Sequence, residues 1–554
     1  MSPVNAAAQA AHAARPRRDF RARQILALFI LLTAVISIPV LTHQLPPLSD
    51  YVNHLARMHV IGTIDNDPYL AKFYEIQWQI IPNLIMDLIV PTLARVMNIY
   101  LAGQLFLIST LVVILSGTLA LNRALTGRWS VLPLVAAPLL YNNLLLVGVM
   151  NYLVGVGIAL WALAAWISLR DRAWPWRFAA SAAFVIALFF CHLFSVGLYG
   201  IGLLAYEVQR LWMTRDRPLK GRLLDFCATV IPYLPVIPLL MASPTWGLAQ
   251  EFSWEPTGKV DGLMFVFDVY YDFIAFALLA VAALALIWAV RHKVMRFHAT
   301  GWLLLGIGSV VYFAMPRMLF ATYMADQRLP IGLAFMILAC LDLELRHRIV
   351  RQGFAAVLII LVTVRVAEVQ ITWNKLSRSV ESVHKSVYQI ERGASVLVAY
   401  ADTRGGDDVR DLGLMHAACL AMIERSALVT TAFTVPGKQI LRVREEYSER
   451  ADTEDGTPPS VEQLLVAAEK PQVENAAYWQ HWTKQYDYVY VLFTEKGAEN
   501  PDPVHMRLVY EGNRFQLYRM AQSSTTTAAT ATVDTQTPPH SEGDGDEDDD
   551  DKEN

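Results

Sequence analysis

The chain is poor in charge for its length. Of its 554 residues only 17% are Asp, Glu, Lys or Arg, against about 25% in an ordinary soluble domain. That deficit excludes a large water-soluble enzyme as the class of the whole chain. Cysteine is scarce as well. Cys191, Cys227, Cys340 and Cys419 form no Cys-x-x-Cys pair, and three of them fall in apolar runs. A disulfide framework and a zinc module are thereby excluded. There is no basic patch interleaved with aromatics, so no nucleic-acid partner is expected. No internal repeat is visible, which argues against transporter folds built from repeated halves. The basic stretch 15–23 precedes an apolar run but no small-residue cleavage site. We therefore expect a retained first span rather than a removed signal peptide.

Long apolar runs fill the space left by charge. The chain is 55% hydrophobic with a mean hydropathy of +0.34, the composition of an α-helical polytopic membrane protein. Candidate spans lie at 24–41, 100–121, 131–146, 150–169, 178–191, 195–206, 226–241, 273–290, 301–315, 331–343 and 354–366, about eleven transmembrane helices in all. The segments 178–191 and 195–206 could also be one bent span. With a cytoplasmic basic N-terminus at 1–23, the inner loops become 122–128, 170–177, 210–222, 291–298 and 346–351. Each is rich in Lys and Arg, the positive-inside pattern. The odd count places the region after 366 outside. We expect a bacterial inner membrane, with the C-terminal domain in the periplasm.

That outer domain, 374–519, shows strand-like runs at 395–399, 427–433 and 486–493, with a helical stretch at 412–425. A closing hairpin is expected over 507–519, turning at Glu511-Gly512-Asn513. This reads as a small α/β layer. The acidic segment 520–554 lacks any apolar pattern and is expected to be disordered. The first outer loop, 43–98, is far longer than the ~4–6 residues of a median connection. It holds an amphipathic segment at 82–97 suited to the membrane interface.

Polar residues set in apolar context fall mostly at the outer ends of spans, where they line cavities or substrate paths. After Pro46 and Pro47 stop the first run, Ser49 or Asp50 can cap a new helix. On it Asp50, His54 and Arg57 share one face. Asn142, Asn143 and Asn151 surround a turn between spans, and His192 marks another. Trp254 and Glu255 lie in a further outer loop. Arg317 ends one span, and Asp326, Gln327 and Arg328 precede the next. Each alone has a bland reading as a cap, a packing amide or a self-satisfied ion pair. Their common face points to a shared outer site.

This layout resembles the GT-C-type glycosyltransferases, polytopic enzymes that use polyprenyl-phosphate-linked sugars. The group includes protein O-mannosyltransferases, the aminoarabinose transferase of lipid A and arabinosyltransferases. The resemblance rests on the acid at the start of the first outer loop, the long helical loop that follows and the outer C-terminal domain. It covers nearly the whole chain in architecture but little in motif. The Asp-Glu pair of the mannosyltransferase branch is replaced by Asp50-Tyr51, and Asp50-Tyr51-x-Asn53-His54-x-x-Arg57 is more like less-characterised bacterial members. The resemblance implies that Asp50 is the catalytic base or an acceptor-positioning acid, and we assign it as the base. Transfer also needs a cation on the leaving phosphate, and Arg328 or Arg57 would supply a guanidinium fork. His54 would orient Asp50 or bind phosphate. Asp326 would hold Arg328 or contact sugar hydroxyls. Asn151, His192, Glu255, Arg317 and Gln327 complete the expected substrate-binding set. Asp50, His54 and Asp326 could ligate a divalent cation, though no known ligand spacing is met. The expected partners are a lipid-linked sugar donor and a glycolipid, polysaccharide or protein acceptor. The alternative is a non-catalytic transporter or envelope-assembly protein that binds lipid-linked glycans.

Overall fold

The computed structural model describes residues 21–250, 252–343, 347–402, 411–453, 457–469 and 477–521. The N-terminal stretch before residue 21 and the expected disordered tail from residue 522 lie outside the described residues. The expected spans overlap helical segments, 331–343 only in part. Among the described residues, seven helices are long and apolar enough to cross a membrane, and three shorter apolar helices accompany them. The chain is a multi-pass membrane protein.

The closest helix packing joins Ile99–Thr126 to Met150–Ser168. A Cβ at Gly117 would sit 2.9 Å from the Gly157 carbonyl, and one at Gly157 would sit 2.8 Å from the Ile114 nitrogen. Small residues permit this approach, which is how helices bind one another where lipid supplies no hydrophobic drive. His192, with extended backbone, splits the next apolar run into Trp174–Cys191 and Leu193–Met213. These are two helices, not one bent span.

Two boundaries differ from the sequence reading in ways that matter for the site. The helix expected at 331–343 is Ala325–Ala339, so Asp326, Gln327 and Arg328 form its first turn. It ends early because Leu341–Leu343 pairs antiparallel with Met295–Phe297. The last helix, Arg348–Ser386, runs unbroken for 39 residues. At 1.5 Å per residue it is about 58 Å long, nearly twice a bilayer core, and its far end serves as a stalk for the C-terminal domain. Arg365, expected at the outer end of this span, is buried against Glu368 at 2.7 Å.

The C-terminal domain is a five-stranded mixed sheet in the order 506–512, 515–520, 488–492, 395–400, 428–429. Ser395–Tyr400 is buried along its whole length and pairs in parallel with both its neighbours. The hairpin pairs Gly512 with Phe515, so its turn falls on Asn513 and Arg514, one step later than expected. The expected helix at 412–425 is a short 3-10 turn followed by Leu420–Arg425.

The first outer loop is stitched to this domain. Its strand Tyr74–Ile76 pairs antiparallel with Leu441–Val443. Asp67 accepts from Arg392 at 2.8 Å and from Ser426 at 2.7 Å. At the other end of the loop the Tyr100 hydroxyl donates to Glu424, whose carboxylate also lies 3.0 Å from His384 Nε2. With the His384 contact as the leading cause, the Glu424 carboxyl is held down at about 2.

Candidate active site

A cavity of about 280 Å³ opens where the first outer loop, the membrane helices and the C-terminal domain meet. Asp50, His54, Asn151, His192 and Arg328 all line it, and Asp50 is the one acid among its described lining residues.

Asp50 occupies the N-cap position of helix Tyr51–Thr63, yet its side chain makes no capping hydrogen bond. The residue lines the cavity. Its backbone is pinned instead: Ser49 N donates to Leu146 O and Asp50 N to Val147 O, each at 2.9 Å. The chain then turns at Gly148, whose φ is +99°. A Cβ there would stand 3.1 Å from both Asp50 Cβ and Asp50 N. Glycine is therefore required twice, for the left-handed backbone and for the close approach.

One turn along the same helix, His54 is half-buried, with a buried Nδ1 that has no hydrogen-bond partner. Burial first, then the charges of Arg57 and His416, hold its pKa well below the usual histidine value, so the ring is neutral at pH 7. On the far wall Arg328 Nη1 donates to His192 Nε2 at 2.9 Å and Nη2 donates to Tyr323 O at 3.1 Å. Its Nε is buried and unpartnered, and its guanidinium is near enough to interact with Asp50. Asn151 donates to the Asn83 backbone carbonyl and side-chain oxygen at 2.8 Å and accepts from Met86 N at 3.0 Å. It ties the first outer loop to the helix Met150–Ser168.

The C-terminal domain closes the cavity with Phe433, Lys438 and Gln439, and brings His416 to Asp50. The Nε2 of His416 lies 3.6 Å from Asp50 Oδ1. Asn53 fixes its tautomer. The Asn53 amide is oriented by accepting from Phe433 N at 2.9 Å and donating to Thr431 O at 2.7 Å. The same nitrogen faces His416 Nδ1 at 3.1 Å. A donor at Nδ1 leaves the imidazole proton on Nε2, facing the carboxylate. The Phe433 ring packs beside both His54 and His416, at 5.3 and 5.0 Å between centroids. Nothing in the local sequence flags His416, Phe433 or Lys438. They lie more than 350 residues from Asp50 in the chain and join it only through the tertiary fold.

Other sequence-derived candidates have different partners. Arg57, an alternative phosphate clamp, does not reach the cavity. It is buried and paired with Asp87 through Nε at 2.9 Å and Nη2 at 3.3 Å. Asp326 does not hold Arg328; it is fully buried between Arg317 at 3.0 Å and Lys259 at 2.7 Å. Gln327 turns to the Gly258 carbonyl, and Glu255 accepts from Ser253 at 3.4 Å; neither lines the cavity. The Arg317–Asp326–Lys259 cluster instead clamps a loop that does. Ala325 N donates to Arg317 O at 2.8 Å, closing the loop 317–325. Within it Phe320, Ala321 and Met324 have φ of 53°, 54° and 58°. Left-handed backbone at such residues costs roughly 1–3 kcal/mol each and persists only where the surroundings enforce it. The ion cluster supplies that enforcement.

With Asp326 taken by these cations, Asp50 and His54 keep no third ligand of the set considered for a divalent cation. Among the described residues no group of three or more His, Cys, Asp or Glu is placed to hold a metal ion.

No family model matches the chain, and no curated protein matches it in sequence. Solved structures do match it. ArnT from Cupriavidus metallidurans bound to undecaprenyl phosphate superposes with a TM-score of 0.50 at 11% identity, over 90% of this chain and 98% of that one. The same protein in the apo state gives a TM-score of 0.44 at 13% identity over the same shares. At such identity the first likeness concerns the fold alone, and it spans both the membrane helices and the C-terminal sheet. This chain has the fold of the GT-C-type glycosyltransferases.

Proposed function

We propose that the protein transfers a sugar from a polyprenyl-phosphate donor to a lipid, glycan or protein acceptor at the outer face of a bacterial inner membrane. The observation that carries this reading is a cavity with a single described carboxylate, Asp50, and a buried guanidinium, Arg328, on its facing wall. An inverting transfer from a lipid phosphate asks for that pair. The acceptor oxygen attacks the anomeric carbon, the bond from that carbon to the phosphate oxygen breaks, and the phosphate leaves with the electron pair. Asp50 takes the hydroxyl proton as general base. No acid is needed on the leaving side, because the departing phosphate is already a stable anion. Arg328, with Lys438 of the C-terminal domain, meets its charge. His192, by accepting from Arg328, holds the guanidinium in place. His54, neutral, offers a polar edge to the sugar, and His416 positions Asp50.

The fold adds support of its own, since the structure it resembles holds undecaprenyl phosphate. At about 280 Å³ the cavity falls just below the roughly 300–1,000 Å³ of ligand pockets. It suits one sugar with its phosphate, the prenyl tail remaining among the helices. Basic loops at the opposite ends of the spans support this orientation through the positive-inside pattern.

Mass spectrometry of intact glycolipids and glycans from a deletion strain tests the reading. A sugar-bearing species should vanish and return with the wild-type chain but not with Asp50→Asn. An unchanged envelope in the deletion strain would overturn the proposal.

A further inference from the structure

A second cavity, of about 320 Å³, lies at the other end of the bundle. The helix Met150–Ser168 starts beside the first cavity, with Asn151, and ends beside the second, with Arg170. Its 19 residues span about 28 Å, close to the ~30 Å of a bilayer core. The two cavities therefore belong to opposite membrane faces, and this one falls among the basic loops.

Five arginines line it, Arg170, Arg172, Arg177, Arg210 and Arg217, against two carboxylates, Asp171 and Asp225. Arg170 and Arg210 are already neutralised. Glu207, buried, accepts from Arg170 Nη1 at 3.0 Å and from Trp166 Nε1 at 2.7 Å, while Arg210 Nη2 donates to Asp225 at 2.8 Å. Arg172, Arg177 and Arg217 form no ion pair among the described residues, although Glu207 and Asp225 are near enough to Arg177 to interact with it. Arg177 is the telling one. It is 8% exposed and its buried Nε has no hydrogen-bond partner. Its guanidinium is stacked 4.4 Å over the Trp166 ring. A guanidinium held flat by an aromatic face, beside a cavity with unmatched cationic neighbours, is set up to receive an anion. Trp174 lines it, 66% exposed, and Trp176 and Trp212, near the ends of helices Trp174–Cys191 and Leu193–Met213, are 74% and 56% exposed. Exposed tryptophans at the ends of apolar helices mark the headgroup level of the bilayer.

We propose that this cavity binds the phosphate of an anionic phospholipid, such as phosphatidylglycerol or cardiolipin, from the inner leaflet. The chemistry is that of basic pockets between membrane helices. Arg177 contacts the phosphate from the base of the cavity, Arg172 and Arg217 contact it from the rim, and the tryptophans lie among the acyl ends of the headgroup region.

The test uses the full chain in nanodiscs of phosphatidylcholine with or without cardiolipin, and reads lipid adducts by native mass spectrometry. Wild type should retain cardiolipin through delipidation, and excess glycerol 3-phosphate should not displace it. Arg177→Gln should lower retention about tenfold, the worth of one charge-assisted hydrogen bond. The rim pair Arg172→Gln/Arg217→Gln, which disturbs no packed contact, should do the same, and it decides the matter if the first variant misfolds. Retention unchanged in the rim variant would overturn the proposal. Displacement by glycerol 3-phosphate as readily as by cardiolipin would also overturn it, by showing that the site takes a soluble phosphate.

Discussion

Arg57 and Asp87 offer the sharpest separation of structural from chemical roles. Their side chains are 1% and 2% exposed, with Arg57 Nε 2.9 Å from the carboxylate. A second bond runs from Nη2 at 3.3 Å, so the pair is bidentate. Replacing Arg57 alone with Met strands a buried carboxylate, at a cost of about 3–5 kcal/mol. For domains of 150–250 residues each kcal/mol moves the melting temperature by roughly 2–4 °C, which puts the fall at about 6–20 °C. Replacing both, as Arg57→Met/Asp87→Leu, removes the charge and its partner together. That variant should come within about 1 kcal/mol of wild type or exceed it. Melting in detergent at one fixed scan rate reads the difference, since membrane proteins commonly unfold irreversibly. Sugar transfer should survive in the double variant, because the pair only fixes helix Tyr51–Thr63, which carries Asp50 and His54, to helix Ile85–Ala94. Two results would refute this reasoning. One is a single variant as stable as wild type, which would mean the charge is not buried as described. The other is a double variant that folds but does not transfer, which would return Arg57 to the substrate.

Gly148→Ala should destabilise by about 1–2 kcal/mol through the left-handed backbone alone. It should also lower kcat, because the added Cβ meets Asp50 at 3.1 Å; thermal melting and turnover check the two parts separately. His416→Gln should reduce kcat by up to about 100-fold through loss of Asp50 orientation while leaving KM for the donor nearly unchanged; a matching rise in KM would assign His416 to binding instead. Glu424, held down at about 2 from an ordinary 4.5, contributes stability that is full above pH 4.5 and is lost as pH falls toward 2. Glu424→Gln should therefore melt lower than wild type at pH 7, with the gap closing in acid. A gap independent of pH would contradict the assignment.

The membrane architecture was legible because apolar runs and basic loops are local signals, as in 100–121 or 170–177. Asp50, His54, Asn151, His192 and Arg328 were also legible as polar residues at the same ends of spans, and the fold gathers them round one cavity. What the sequence withheld was pairing. Nothing near Arg57 says that its counter-ion is Asp87, 30 residues on. Nothing near Asp326 says that Lys259 and Arg317 have taken it. The part of the site supplied by the C-terminal domain depends on the docking of that domain through Tyr74–Ile76 and Leu441–Val443. Short edge strands of this kind carry almost no pattern of their own. The 39-residue final helix was cut short in the reading because its outer half is amphipathic rather than apolar.

The most direct test is single-turnover transfer by reconstituted wild type and Asp50→Asn, with release of polyprenyl phosphate as the readout and donor binding measured alongside. General-base assistance contributes about 10²–10⁴-fold, so the variant should bind donor as wild type does and lose that factor in rate. A variant that binds donor and releases polyprenyl phosphate at the wild-type rate would contradict the account.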